Sequence, residues 1–291
     1  MITIFTATYN RGKLLYDLYE SLSIQSNKDF EWIIVDDGST DNTKEILADI
    51  MNKTDFTIRV ITQVNGGKHR AINKGVSIAK GDYFFIVDSD DTLTRDAVEK
   101  VIRWCDDLPK DDVCFAGVAG LRESSQGIIG GSGKYPYVDA TNLERKKYNL
   151  SGDKAEIYKT EILRKFPFKE FEGERFLSEE TVWNLIAAEG YKIRWYPISI
   201  YRCEYLEDGL THGLEMNQMN NYRGYTYQVI QSIMLKSLIS KIHDLGEYVR
   251  ISKKMGMGIL EISRNLKISP LFSVLSFLLV KIYDDFSKRK K

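Results

Sequence analysis

Three carboxylates crowd into four residues at Asp88-Ser89-Asp90-Asp91, directly after the apolar run Tyr83 to Val87. Crowded carboxylates repel one another unless a cation neutralises them, and hard divalent cations prefer oxygen ligands. A cation held by one or two of them can also bridge a diphosphate and stabilise it as a leaving group. A plainer role competes, because Asp91 or Thr92 can cap a following helix. A second acidic cluster, Asp36-Asp37-Gly38-Ser39-Thr40-Asp41, ends the apolar run Trp32 to Val35. A carboxylate there can accept the ring N–H of a uracil, and Gly38 lets the backbone turn tightly. Asp36 or Asp37 suits that role, whereas Asp41 suits capping the next helix. In Asn65-Gly66-Gly67-Lys68-His69-Arg70, two glycines and the cations Lys68 and Arg70 stand at a helix start, which suits an anionic ligand. Gly75 sits further along that helix, where glycine costs about 1 kcal/mol against alanine, so close backbone packing is expected there.

The elements that must position these clusters alternate. Ile2 to Thr6, Trp32 to Val35, Ile58 to Ile61 and Tyr83 to Val87 read as strands. Lys13 to Ser23, Thr43 to Met51, Ala71 to Ala79 and Arg95 to Leu108 read as helices. Strands alternating with helices imply right-handed crossovers and a mainly parallel sheet, whose ligand crevice lies outside the C-terminal strand ends. The polar clusters stand at those ends, with Thr8-Tyr9-Asn10-Arg11 after the first strand. Residues 121 to about 215 read as less regular, with glycine-rich turns, a helix over Glu179 to Ala188 and strands around Ile193 to Tyr205. From 216 the pattern is helical. The expected organisation is a catalytic domain over 1–215 and a helical region over 216–291.

The bulk properties narrow the class. Lys plus Arg and Asp plus Glu are both 41, so the basic excess of a nucleic-acid binder is missing and no nucleic-acid partner is expected. Cys105, Cys114 and Cys203 form no CxxC pair and read as buried thiols of a reducing compartment. Met1 to Thr6 is apolar without a basic leader and reads as a first core strand rather than a secretory signal. No run reaches the roughly 18 apolar residues of a membrane span.

Taken in order, Thr6-Ala7-Thr8-Tyr9-Asn10-Arg11, Val35 to Asp41, Asn65-Gly66-Gly67-Lys68 with Ala71, Asn73 and Gly75, and Val87 to Asp91 resemble the family 2 glycosyltransferases with the GT-A fold, most closely over residues 1 to 110. The resemblance implies an α/β, Rossmann-like fold with a mainly parallel central sheet, flanking helices and a C-terminal helical extension. It implies an inverting transfer of a hexose from a nucleotide-sugar donor, a UDP-sugar, to a hydroxyl of a saccharide or lipid-linked saccharide. Thr6, Thr8, Asp36 or Asp37, and Arg70 are then expected around base and ribose. Asn10, Arg11, Asn65, Gly67, Lys68, Asp88 and Ser89 complete the donor contacts. Asp88 and Asp90 match the Asp-x-Asp motif that holds Mn2+ or Mg2+, and His212 falls where such enzymes place a late histidine near the metal. The family's general base lies in a Glu-Asp pair at a later helix start. Here the pair is Glu179-Glu180, a departure that leaves either residue in play, with Glu180 favoured. A first-turn glutamate pair capped by Ser178 is the bland alternative.

Two other functions fit less well. A non-catalytic nucleotide-sugar binder of the same fold has no use for Asp88, Asp90 and Glu180 together. A sugar nucleotidyltransferase needs a glycine-rich basic loop after the first strand, where Thr8-Tyr9-Asn10-Arg11 stands instead. At the far end, Val249 to Lys291 carries ten Lys or Arg against three acidic residues, and Leu271 to Val280 is almost wholly apolar. An apolar helix with basic flanks suits an anionic membrane surface, and packing in a homodimer is the alternative. The expected location is cytoplasmic, peripheral on the inner face of the cell membrane, in capsule or other surface-polysaccharide synthesis.

Overall fold

A computed structural model of the chain describes residues 1–109, 114–203 and 213–288, with side chains described as far as Lys281. The chain packs as two compact units, Met1–Lys169 with Val182–Leu206, and Glu170–Thr181 with Glu207–Lys291.

The first unit opens with β1 (Ile2–Thr8), α1 (Leu15–Ser23), β2 (Phe30–Asp36), α2 (Thr43–Lys53), β3 (Thr57–Thr62), α3 (Lys68–Ile78) and β4 (Tyr83–Ile86). It continues with β5 (Thr92–Leu93), α4 (Ala97–Asp106), β6 (Phe115–Ser124), β7 (Gly127–Ile128), β8 (Val138–Ala140), β9 (Lys154–Lys159) and α5 (Thr160–Lys165). The helix α6 (Glu180–Ala188), whose first two residues belong to the second unit, and the strand β10 (Lys192–Arg202) follow. Among the described residues ten strands form one sheet, ordered β3-β2-β1-β4-β9-β6-β10-β5, with β7 on β6 and β8 on β10. The run β3-β2-β1-β4 is parallel, β9 is antiparallel to β4 and β6, and β6 pairs parallel with β10.

Every residue of β2 is buried, as expected of a parallel strand covered on both faces. Leu15, Leu18 and Leu22 of α1 and Ile46, Leu47 and Ile50 of α2 turn the faces expected from their spacing into this core. From β1 the chain moves outward to β2 and β3, then returns to β4 on the other side of β1. The order therefore reverses between β1 and β4, the switch point at which open α/β sheets form their crevice.

Gly75 of α3 explains its own presence. A Cβ there would stand 2.3 Å from two ring atoms of the fully buried Phe5, which stacks on Phe84 with centroids 5.2 Å apart. Gly75→Ala gains about 1 kcal/mol of helix propensity but drives a methyl group into that ring. The overpacking outweighs the gain, so a net loss of about 1 to 3 kcal/mol is expected in a urea titration. A variant as stable as the parent would contradict the packing.

Three sequence expectations change. Residues 121 to 203 keep the expected helix, as α6, and the expected strand after Ile193, as β10, but they also contribute β7, β8, β9 and the end of β6 to the same sheet. Asp91 and Thr92 cap no helix, since Thr92 lies in β5 and α4 starts only at Ala97. Cys114 is exposed and Cys105 and Cys203 are half-buried rather than buried, although all three are free thiols.

Candidate nucleotide-sugar site

The β1 end is tied to the β2 end by side chains that hold both loops. Thr8 lies beside Asp36 in register, and its carbonyl accepts the Asp37 N–H at 2.8 Å. Asn10 adopts a left-handed conformation, φ 54°, donates its N–H to Ser39 Oγ and accepts from the Thr40 N–H at 2.7 Å. Asp41 accepts from the Thr43 N–H at the start of α2, a structural role. Thr6 is fully enclosed, its hydroxyl accepting the Trp32 indole N–H at 3.0 Å, so it lies beneath the crevice rather than on its surface.

The two aspartates of β2 do different work. Asp37 is saturated: it accepts from Gln63 Nε2 at 2.7 Å, from the Gly66 N–H at 2.8 Å and from the Gly67 N–H at 2.7 Å. It thereby shapes the loop before α3, where Gly67 takes φ 92°, a region that excludes side chains with ease only for glycine. Arg70 Nη1 donates back to the Gly66 carbonyl at 3.1 Å. Asn65 packs against Gly38, whose φ is 82°. Asp36 accepts only from the Ser39 N–H, at 2.9 Å, which leaves Oδ2 without a partner among the described residues. Thr8 Oγ1 is likewise buried and unpartnered among the described residues. Buried polar groups are normally satisfied, so the unpartnered Thr8 hydroxyl, beside an Asp36 carboxylate with an unused oxygen, points to a polar ligand at these adjacent strand ends.

Across the switch point, the loop after β4 is a cage of charge. Asp90 pairs with Arg11 from the β1 loop, and Asp88 pairs with Lys68 from the start of α3. Arg122 at the end of β6 stands 3.5 Å from Asp88 and 3.9 Å from Asp91, with its guanidinium over the Tyr201 ring at 4.1 Å. The buried Tyr201 hydroxyl donates to Asp91 at 2.7 Å and accepts the Asp88 N–H at 2.9 Å. Desolvation pushes Asp88 up, but the charges of Lys68 and Arg122 outweigh it and hold its carboxyl well below the usual range. Asp91, by contrast, is pushed up to about 7 by burial and by the neighbouring Asp88 charge. Ser89 is buried between them in sequence. Arg122 and Tyr201 were not expected from the sequence, although Arg122 carries the signal that marked Asp88, a charge ending a buried apolar strand.

Among the described residues no group of three His, Cys, Asp or Glu is disposed to enclose a metal ion. The donor set still fits a hard cation of the magnesium type, which takes one or two protein carboxylates and completes its shell from phosphate oxygens and water. Asp88 and Asp90 supply such carboxylates. His212 lies outside the described residues.

In the second unit, Glu180 begins α6 with two partners. Its Oε1 is 2.8 Å from Lys236 Nζ, which also meets Asp244 at 3.0 Å, and its Oε2 is 3.5 Å from Gln228 Nε2. The half-buried Lys236 ammonium rises in pKa, because Glu180 and Asp244 outweigh the cost of its desolvation. Ser178 serves the helix start through its carbonyl, which accepts the Thr181 N–H at 3.1 Å. Glu179 precedes the helix and makes no part of this triad. Trp183 and Trp195 are core residues, the first stacked on Tyr158 at 4.2 Å and the second donating to the Ala140 carbonyl at 3.0 Å.

With this geometry in place, comparisons with known proteins become informative. Residues 3–165 match the family described as Glycosyl transferase family 2. The glycosyltransferase GlyG of Streptococcus pneumoniae is 40% identical over 114 residues, 39% of this chain and only 38% of that protein. A Campylobacter jejuni protein named GalNAc(5)-diNAcBac-PP-undecaprenol beta-1,3-glucosyltransferase is 25% identical over 274 residues, 91% of this chain and 84% of that protein. The crystal structure of TarS 1-349 from S. aureus in complex with UDP-GlcNAc superposes with a TM-score of 0.57 at 20% identity, covering 86% of this chain and 81% of that one. At that identity the likeness speaks for the fold, which is GT-A.

Proposed function

The chain belongs to glycosyl transferase family 2, and on that premise we propose that it transfers a hexose from a UDP-sugar to a saccharide hydroxyl with inversion. The observation that carries this reading is the pairing of a buried, unpartnered Thr8 Oγ1 and an unused Asp36 Oδ2 with a caged Asp-x-Asp turn at one switch point. Asp36 is assigned to the base, where it accepts the uracil ring N–H. Thr8, Asn65, Gly67 and Arg70 line the nucleoside side, while Asn10 and Asp37 hold the loops in shape. Arg11 and Lys68, now engaged with Asp90 and Asp88, face the diphosphate, with Ser89 in the same turn.

Mn2+ or Mg2+ held by Asp88 and Asp90 would neutralise charge on the departing diphosphate. Glu180 receives the proton of the acceptor hydroxyl as its oxygen bonds the anomeric carbon and the bond to the diphosphate breaks. Lys236 and Gln228 fix the glutamate's direction for that transfer. His212 is retained as a further candidate near the metal. A lipid-linked saccharide is the proposed acceptor, supported by the name of the Campylobacter relative, a glucosyltransferase for GalNAc(5)-diNAcBac-PP-undecaprenol. The enzyme would then work in surface-glycan synthesis, peripheral on the cytoplasmic face of the membrane. No helix of the described residues is long and apolar enough to cross one.

Titration calorimetry with UDP and GDP tests the base assignment. The parent is expected to prefer UDP. Asp36→Asn loses one charge-assisted hydrogen bond of about 1.5 to 3 kcal/mol, so UDP should bind about 10- to 100-fold more weakly. Unchanged UDP affinity in this variant would remove Asp36 from the site.

A further inference from the structure

In the second unit, α7 (Leu214–Asn220) and α8 (Tyr222–Leu235) lead to α9 (Leu238–Lys254), α10 (Ile259–Leu266) and α11 (Pro270–Lys288). The described part of α11 is apolar on its outer side as well as its inner one. Ser273 and Ser276 have no exposure and Val280 has 6%, whereas Leu271, Leu275, Leu278 and Leu279 are 77%, 50%, 47% and 42% exposed. At 100° per residue those leucines span about 100° of arc, on the side away from Ser273, Ser276 and Val280.

The inward side packs Phe272 and Phe277 on the apolar core of this unit and makes its closest approaches through small groups. Ser273 Oγ lies 2.9 Å from Ser263 Oγ of α10. A Cβ on Gly246 of α9 would stand 2.3 Å from Val280 Cγ2 and 2.9 Å from the Ser276 carbonyl oxygen. Ser276 Oγ is buried with no hydrogen-bond partner among the described residues. In water the hydrophobic effect turns leucines inward and serines outward. Helices that join through Gly and Ser while showing leucine outward are at home where the outer medium is itself apolar.

Charge identifies that medium. Arg264, Lys267 and Lys281, which flank or follow the leucine positions, are exposed, and the chain from Val249 onward has ten basic against three acidic residues. A second copy would bring a face of the same sign, whereas anionic headgroups complement it. We propose that the Leu271, Leu275, Leu278 and Leu279 face of α11 inserts into the surface of an anionic bilayer, lying along it, with the basic residues on headgroups. This deepens the membrane-peripheral part of the reading above and rests on it only for why the enzyme would be there.

The test is cosedimentation of the full chain with phosphatidylglycerol/phosphatidylcholine vesicles and with pure phosphatidylcholine vesicles, without donor or metal. The parent should bind the anionic vesicles, more weakly at high salt as exposed charges are screened. Leu275→Glu/Leu278→Glu should reduce binding at least about tenfold, and Lys267→Gln/Lys281→Gln about tenfold. Because these positions are exposed, both variants should keep the parent's melting temperature, and the leucine variant its turnover of a soluble acceptor. Parent binding that is absent, or equal on both vesicle types, overturns the proposal, as does undiminished binding by the leucine variant. A parent dimer that this variant splits, with no vesicle binding, assigns the face to a second copy instead. Transfer assays need no vesicles, so failure here and failure of the glycosyltransferase reading are separate results.

Discussion

Asp90→Ala is expected to abolish sugar transfer, with a loss of at least about three orders of magnitude. The developing diphosphate charge would lose its counter-ion, a contribution of several kcal/mol, and each 1.36 kcal/mol is a factor of ten in rate. The same variant releases Arg11 from its ion pair. That release frees a cation to meet the diphosphate directly, so donor affinity should fall less than turnover. The two effects are read separately as KM and kcat, with thermal melting to confirm that the crevice still folds. Excess chelator should reproduce the loss in the parent and have little further effect on the variant. Full parent activity in chelator would sink the metal assignment, even if Asp90 proved essential.

Glu180→Gln should cost about 10²- to 10⁴-fold in turnover, the usual range for a missing general base. The substitution keeps size and some hydrogen bonding to Gln228 but ends the ion pair with Lys236. Lys236 keeps Asp244 at 3.0 Å, so the second unit should retain its local order. UDP affinity should change little, because the proton transfer belongs to the acceptor step. Glu179→Gln is the control within the pair. A dead Glu179→Gln beside an active Glu180→Gln would move the base by one residue.

How much of this was legible in the sequence depends on how far each residue's partners lie along the chain. The strands β1 to β4 read clearly because buried parallel strands are near-continuous apolar runs. The glycine at 75 announced close packing, and Phe5 supplies it. The strand β6 is hidden for the converse reason. Gly117 and Gly120 interrupt β6, and the former is required because a Cβ there would lie 2.0 Å from the Ile157 carbonyl oxygen of β9. Glycines demanded by a neighbouring strand look, in one dimension, like turns.

The site shows the same division. Asp36 and Asp37 are indistinguishable by position, and only the loop hydrogen bonds to Gln63, Gly66 and Gly67 separate a clamp from a carboxylate with an unused oxygen. Arg122 and Tyr201 reach the Asp-x-Asp turn from β6 and β10, a pairing that no local spacing encodes. Lys236 meets Glu180 across 56 residues for the same reason. Thr6 matched its motif and is nonetheless enclosed, since it lies one strand repeat deeper than Thr8 on the same side of β1, beneath the Trp32 indole, and a motif does not record that depth.

The central claim is that one crevice binds a nucleoside-diphosphate sugar and releases the nucleotide on transfer. Chromatographic detection of nucleoside diphosphate, after incubation with a panel of UDP- and GDP-sugars and Mn2+, tests it most directly. At least one UDP-sugar should be turned over above the no-enzyme rate, chelator should stop the release, and Asp90→Ala should show none. Folded enzyme that binds UDP-sugars yet releases no nucleotide, with water or saccharide acceptors present, would instead mark a nucleotide-sugar-binding protein and contradict the account.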